Sequence, residues 1–431
     1  MKIYSLSELS KQELEKLCQR NQTEDAIVED VVSDIILKVK AEGDDAICKL
    51  SEQYDKVKLD RLWVGKSEID EAAAIIPERS KQAIDQAYKN IKLFHQSQVR
   101  TEAPVETMPG VTCWRESRAI DRVGLYIPGG SAVLPSTFLM LGIPARIAGC
   151  KEIVVCSPPQ KDGKINGYIA YVAQLLNIDR IYLAGGAQAI AAMAFGTVSI
   201  PKVDKIFGPG NQYVTQAKIQ IQTQSITAID MPAGPSEVLI IADETANPAF
   251  VAADLLAQAE HGADSQVVLI TTSEAFAGDM ADELANQIVQ LPRMEIAALS
   301  MYKSFTLLAS NMEEAVTFSN QYAPEHLILA VKDPEALIPS ISNAGSVFVG
   351  HLTPESAGDY ASGTNHTLPT NAYSKAYSGV STDAFVKKIT FQRIDKTGLQ
   401  NIGETVEILA DMEGLEGHKQ AVSIRLKSLK N

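Results

Sequence analysis

Cysteine is scarce in this chain, and its pattern excludes a disulfide framework. The five cysteines (Cys18, Cys48, Cys113, Cys150 and Cys156) are odd in number, widely spaced and never in a Cys-x-x-Cys arrangement. That usage fits a reducing cytoplasm. The sequence also lacks Gly-x-Gly-x-x-Gly, a complete Walker Gly-x-x-x-x-Gly-Lys-Ser/Thr (Gly65-Lys66-Ser67 has Asp60 where the first glycine belongs) and a Gly-x-Ser-x-Gly elbow, and no cysteine has a histidine beside it. Motifs therefore name neither a dinucleotide nor a hydrolytic nucleophile. Long lipophilic runs are missing too. Val133–Gly149 is interrupted by Pro135, Pro144 and Arg146, and Leu183–Ile200 is mostly Ala and Gly around Gln188, so neither reads as a membrane span. Positive charge is in deficit: 39 Lys and Arg against 53 Asp and Glu give a net charge of −14. Nucleic acid and anionic membranes both need clustered cations, so neither is an expected partner. The amino terminus has no signal-peptide apolar core and reads as an amphipathic helix. The expectation is a soluble cytoplasmic protein.

What is present describes an ordinary globular protein. The chain has 431 residues, 45% hydrophobic and 21% charged, enough for two or three domains at about 150 residues each. Ile27, Val31, Ile35, Ile36 and Val39 recur at helical spacing, as do Ile84, Ala87, Ile91 and Phe94. From about residue 123 the texture becomes short apolar runs alternating with helical stretches. Val123–Ile127, Ile153–Cys156, Ile181–Ala184, Lys205–Phe207, Glu237–Ala242, Gln266–Thr271, Phe305–Ala309, Leu327–Val331 and Ser346–Val349 read as strands. Apolar runs not split between two faces point to parallel sheets covered by helices. Their number exceeds one compact sheet, so two α/β units are expected, divided near the Pro/Gly-dense Asp230–Pro235. After Gly379 the alternation stops, and Glu404–Met412 and Leu415–Leu429 read as a helical tail that has to pack on something.

Six histidines occur, and two follow a glutamate: Gln258-Ala-Glu260-His261 and Pro324-Glu325-His326. Gln258 and His261 share a helix face and suit a divalent ion, but two ligands need help from elsewhere. A polar helix end with a solvated histidine is the simpler alternative. Glu325 and His326 precede a strand and point different ways, either as two bases addressing one substrate or as a charged turn. Gly358-Asp359-Tyr360 and Asn365-His366 lie in a Gly/Ser/Thr-rich loop after a buried strand, which either turns the chain or builds a site. Glycine turns recur at Pro128-Gly-Gly130, Gly185-Gly186, Gly208-Pro-Gly-Asn211 and Ala233-Gly-Pro-Ser236, and backbone amides at such turns can hold phosphate.

Taken in order, Val123-Gly-Leu-Tyr-Ile-Pro-Gly-Gly130, Ala184-Gly-Gly-Ala-Gln-Ala-Ile190, Phe207-Gly-Pro-Gly-Asn211 and Ile229-Asp-Met-Pro-Ala-Gly-Pro-Ser-Glu237 form one pattern. They are followed by Leu256-Ala-Gln-Ala-Glu-His261, Tyr322-Ala-Pro-Glu-His-Leu327, Gly358-Asp-Tyr360, Asn365-His366 and Glu413-Gly-Leu-Glu-Gly-His418. The chain resembles the histidinol dehydrogenase family over essentially its whole length. Gly262, Gly417 and Asn371–Tyr377 depart from the usual pattern without removing a functional side chain.

The resemblance implies NAD-linked oxidation of L-histidinol to L-histidine through an enzyme-held aldehyde, the last two steps of histidine biosynthesis. It implies one zinc per subunit held by Gln258, His261, Asp359 and His418, and substrate contacts from these and from Ser236, His326, His366 and Glu413. His326 would take the alcohol proton and Glu325 would activate water; Tyr126, Gln188 and Asn211 would contact NAD. The implied fold is two incomplete Rossmann-like α/β domains in an aldehyde-dehydrogenase-like arrangement, with terminal helical segments exchanged across a homodimer that shares its active sites. The boundaries are then 1–24 for an N-terminal helical segment, 25–124 with 237–380 for the domain bearing zinc and catalytic residues, 125–236 for the NAD side, and 381–431 for a tail on the partner. Two rivals are a relative oxidising another small polar alcohol, such as a sulfonated diol, and a catalytically silent metal-binding or assembly protein.

Overall fold

The computed structural model describes residues 1–20, 26–129, 133–232 and 234–430. The turns expected at Pro128–Gly130 and Ala233–Ser236 fall partly outside these residues. Among the described residues the strands in chain order are β1 (Lys2–Ser5), β2 (Trp63–Gly65), β3 (Val105–Met108), β4 (Val111–Ala119), β5 (Arg122–Tyr126), β6 (Glu152–Ser157), β7 (Arg180–Leu183), β8 (Lys205–Phe207), β9 (Ala228–Ile229), β10 (Glu237–Ala242), β11 (Gln266–Thr271), β12 (Phe305–Leu308), β13 (His326–Ala330), β14 (Ser346–Val349) and β15 (Val386–Ile394). All nine strands expected from the sequence are present, each within a residue of its expected limits.

The chain divides into two compact units, residues 1–98 with 120–385, and residues 99–119 with 386–431. The first unit holds two six-stranded sheets, ordered β2-β7-β6-β5-β8-β9 and β1-β12-β11-β10-β13-β14. Every pairing in the second of these sheets is parallel, and in the first only β2 runs antiparallel, at one edge. Central strands such as β10 are buried on both faces, as strands sandwiched between helix layers must be. The helices start at identifiable caps. Asn247 accepts from the Ala249 amide and precedes Pro248 at the start of the Pro248–Ala259 helix, and Asn211 accepts from Tyr213 and Val214 to start Gln212–Gln224; both satisfy otherwise orphaned amides.

In each sheet the strand order reverses beside the central strand that comes earliest in the chain, between β5 and β8 and between β10 and β13. Such switch points are where open α/β sheets leave crevices at strand ends. At the first, the strand ends nearly touch. A Cβ on Gly208, whose φ is +136°, would lie 2.3 Å from the Tyr126 carbonyl oxygen, so only glycine fits there.

Several expected boundaries are corrected. The N-terminal segment does not begin as a helix: β1 pairs in parallel with β12 at a sheet edge, and the Lys11–Cys18 helix follows behind a Ser10–Glu13 capping box. Residues 26–96 belong with the β5–β9 sheet rather than with 237–380. Their Val32, Ile36, Ile47 and Ile91 are fully buried in the same core as Val123, Leu125 and Phe207, and β2 adds to that sheet's edge. The tail is not purely helical either. β15 pairs antiparallel with β4 along nine residues, and β3 completes a three-stranded sheet. That sheet, with the helices Lys396–Met412 and Glu416–Ser428, makes up the second unit. Residues 381–385 stay with the first, where Phe385 stacks on Phe207 at 3.9 Å between centroids. No helix of the described residues is long and apolar enough to cross a membrane.

Candidate active site

The starts of two neighbouring parallel strands place the central groups. His326 opens β13 opposite Val238 of β10, so Glu325 and Glu237, one residue earlier on each strand, are also neighbours. The Glu237 N–H donates to Glu325 Oε2 at 2.9 Å, and the Glu237 carbonyl lies 3.2 Å from His326 Nδ1. Nδ1 must carry a proton to make that contact, which leaves Nε2 as the nitrogen that can gain or give up one. Nε2 is buried and lacks a hydrogen-bond partner, with Asp359 Oδ1 3.6 Å away.

The second wall comes from the short helix Glu355–Tyr360 rather than from a loop. Glu355 and Asp359 are four residues apart and so share a face. The helix packs closely on β14, where a Cβ on Gly358 would meet the Phe348 ring at 2.5 Å, and the Phe348 ring in turn lies 5.9 Å from that of His326. Glu355 Oε1 is 3.7 Å from His326 Nδ1. With the Gln258 amide turned so that its nitrogen faces this carboxylate, Gln258 donates to Glu355 Oε1 and its oxygen accepts from Glu237 N–H at 2.9 Å, sharing that donor with Glu325. Gln258 is wholly buried at the end of its helix, and His261 follows just beyond, its N–H bonded to the Gln258 carbonyl.

Charge in this cluster is one-sided. Burial drives the Glu325 and Glu355 carboxyls up to about 8, the nearby His326 ring pulling them back. Burial opposes a charge on His326, but Glu355, Glu325 and Asp359 outweigh it and raise the ring well above its ordinary value. Asp359 is pushed up by burial but brought below the usual carboxylate range by His326, His366 and His261. His261 and His366 are both lowered by burial, with Asp359 acting in the opposite direction. His326, Glu355 and Asp359 each offer a ligand atom, all within 4.8 Å of one another. A surplus of carboxylate around buried imidazole, with Nε2 of His326 and Oε2 of Glu355 unpartnered, suits a divalent cation that accepts oxygen and nitrogen ligands.

The remaining expected residues divide by place. Ser236 immediately precedes Glu237, and its carbonyl accepts from Gln266 N–H. His366 bonds through Nδ1 to the Asp359 carbonyl (2.8 Å) and through Nε2 to Thr137 (3.2 Å). Tyr126, Gln188 and Asn211 gather on the other sheet. The buried Tyr126 hydroxyl accepts from Gly186 N–H at 3.0 Å, Gln188 is buried in the Gly186–Phe195 helix, and Asn211 is the exposed cap already described. Glu413 and His418 lie in the second unit and are exposed. Sequence reasoning missed Glu355; its one signal is the Glu355-x-x-x-Asp359 spacing, which acquires meaning once those residues are known to be helical. It also missed Glu237 as a hub. Cys150 and Cys156 are buried in the core of the first sheet.

The family description "Histidinol dehydrogenase" matches residues 18–426. A histidinol dehydrogenase of Bacteroides thetaiotaomicron is 54% identical over 98% of both chains, and a chloroplastic histidinol dehydrogenase of Arabidopsis thaliana is 52% identical over 100% of this chain and 92% of its own. The crystal structure of histidinol dehydrogenase from Elizabethkingia anophelis superposes with a TM-score of 0.96 at 52% identity, covering 100% of this chain and 99% of that one. With those likenesses spanning its length, the chain belongs to the histidinol dehydrogenase family.

Proposed function

We propose that this chain is a cytoplasmic enzyme that oxidises L-histidinol to L-histidine with two NAD⁺ and one water, by way of L-histidinaldehyde. The observation that carries the reading is the pair of adjacent buried bases, Glu325 and His326, one bonded to the main-chain N–H of Glu237 and the other to its carbonyl. A four-electron oxidation needs two deprotonations of different kinds, one of an alcohol and one of water. His326, through Nε2, takes the hydroxyl proton as hydride leaves the carbinol carbon. Glu325 then takes a proton from the water that adds to the aldehyde while His326 returns its proton to the aldehyde oxygen, and the hydrate formed gives hydride to the second NAD⁺ as His326 takes its hydroxyl proton. NAD⁺ accepts both hydrides, bound along Tyr126, Gln188 and Asn211 at the switch point between β5 and β8.

Gln258, His261 and Asp359 of one chain, with His418 of the partner subunit, would hold a zinc ion. Zinc would supply a fixed positive template for the amine and imidazole nitrogens of the substrate. Glu355 fixes which way the Gln258 amide faces by accepting from its nitrogen. Ser236, His366 and Glu413, the last reaching across a homodimer, complete the contacts to substrate. A substrate panel tests the reading. L-Histidinol should reduce NAD⁺ far faster than a sulfonated diol, and a preference for the diol would move the chain to the rival activity. An absence of NADH with any alcohol would leave only a binding role.

A further inference from the structure

The N-terminal segment ends on a cation that belongs to no surface. The Arg20 guanidinium is 6% exposed and its partner Glu237 2%. Nε and Nη2 of Arg20 donate to the two carboxylate oxygens of Glu237, each at 2.8 Å, a bidentate fork that fixes direction as well as distance. The guanidinium lies over the Tyr322 ring at 3.7 Å, and the Tyr322 hydroxyl donates to Gln266, the residue paired with Glu237 across β10 and β11. Nη2 reaches further, to the Ala323 carbonyl at 3.4 Å. Ala323 has a φ of +54°, a conformation that alanine rarely adopts, and it forms the turn that leads through Pro324 into Glu325 and His326. Ser374 donates to the same carbonyl at 3.0 Å.

One side chain from residue 20 thus grips both peptide segments on which the bases depend. It holds Glu237 at the start of β10 by its carboxylate, and the turn before β13 by a carbonyl. Glu237 passes that constraint on through its own main chain, N–H to Glu325 and carbonyl to His326. Removing one member of such a pair leaves a buried charge without a partner, whereas replacing both by apolar residues of similar volume commonly preserves folding. The two effects can therefore be separated.

We propose that Arg20 and Glu237 are positioning residues for the reaction: Arg20 ties together the starts of β10 and β13, and the Glu237 peptide sets the distance between Glu325 and His326. This rests on the roles given above to those two bases. Both side chains are buried and spend their polar atoms on each other and on neighbouring main chain. Loss of the grip should slow chemistry more than it weakens binding, because it displaces both bases while His261, Asp359 and His366 make no hydrogen bond to Arg20 or Glu237. Outer-shell partners of this kind typically affect activity by about 10- to 100-fold.

The test compares the full-length enzyme with Arg20→Lys, Arg20→Met and the double variant Arg20→Met with Glu237→Met. Rates with L-histidinol and with histidinaldehyde are both measured and divided by the metal bound per chain. Expected is a fall in kcat of about 10- to 100-fold in Arg20→Met and the double variant, with the KM of each substrate within about two-fold of wild type. Both oxidation steps should slow together, since both bases lose their register. Arg20→Lys keeps the charge but not the fork, and should fold normally and fall between wild type and Arg20→Met. A double variant with wild-type kcat per metal-loaded site would overturn the proposal, leaving the pair a folding role. If the double variant does not fold, a fully active Arg20→Lys would overturn it equally. Glu325→Gln and His326→Asn are run in parallel: should they retain full activity, the roles assigned to the bases fail, a result distinguishable from failure of the Arg20 proposal alone.

Discussion

Replacing Glu325 by Gln separates the two oxidations. Glutamine matches glutamate in size, and its amide oxygen can keep the bond from Glu237 N–H that Glu325 accepts at 2.9 Å. What it cannot do is take a proton from water. Positioned bases contribute about 10²- to 10⁴-fold, or about 3–5 kcal/mol at 1.36 kcal/mol per decade. With histidinaldehyde supplied directly, NADH formation should fall by that factor. The reverse of the first step, reduction of histidinaldehyde by NADH, uses no water and should fall less than about ten-fold. The pH dependence follows from the same carboxyl. Burial raises Glu325 to about 8, so its basic form accumulates as pH rises through that value, and aldehyde oxidation by wild type should rise with it. Stability moves the other way. A carboxyl raised from 4.5 to about 8 holds its proton more tightly in the native state than in the unfolded chain. Its stabilising contribution is fully present below 4.5 and is lost as pH climbs through about 8. Gln does not titrate, so the melting temperature of metal-free Glu325→Gln should gain on that of wild type between about pH 5 and about pH 9. Equal loss of aldehyde oxidation and aldehyde reduction would refute the division of labour between the two bases.

Metal analysis of His261→Ala should show near-complete loss of zinc; full occupancy would remove His261 from the site. His261→Ala and His418→Ala should each be inactive alone, yet unfolded together and refolded as an equal mixture they should recover roughly a quarter of wild-type activity, because half the dimers carry one intact shared site. A mixture that stays inactive despite demonstrated heterodimers would place His418 in its own chain's site. Cys150 and Cys156 are buried, and burial pushes the Cys150 thiol up to about 11 and the Cys156 thiol higher still. Cysteine nucleophiles are activated by the opposite shift, so Cys150→Ala and Cys156→Ala should retain most activity; a folded but inactive Cys150→Ala would reopen a covalent thiohemiacetal route.

The parallel sheets were legible because strands covered on both faces are continuous apolar runs, as in Glu237–Ala242, and those runs survive any choice of register. The strands that escaped notice carry no such run. β1 and β3 are edge strands with exposed positions, β15 is largely exposed and β4 is mostly half-buried, so their pairing is set by position along the chain and not by an apolar pattern. The allocation of residues 26–96 was hidden for a related reason. Helical periodicity says that Val32 and Ile36 face a core, and says nothing about which of two cores. At the site, Glu325, His326, Gln258 and Asp359 stood out as chemistry-bearing types in recognisable motifs, and these four converge. Glu355 and Glu237 did not stand out, because their importance lies in what they touch: Glu355 faces a side-chain amide in the last turn of another helix, and Glu237 acts through main-chain atoms that every residue possesses. Arg20 is separated from Glu237 by 217 positions, and no local pattern reports such a pairing.

The central claim is that one site performs both oxidations on the same molecule, with Glu325 and His326 as successive bases. The most direct measurement is the amount of NADH formed when a known, limiting quantity of L-histidinol is consumed to completion with excess NAD⁺. Two NADH per histidinol, with histidine as product and no free aldehyde accumulating, is the expected result. One NADH per histidinol, with aldehyde released to solvent, would contradict it.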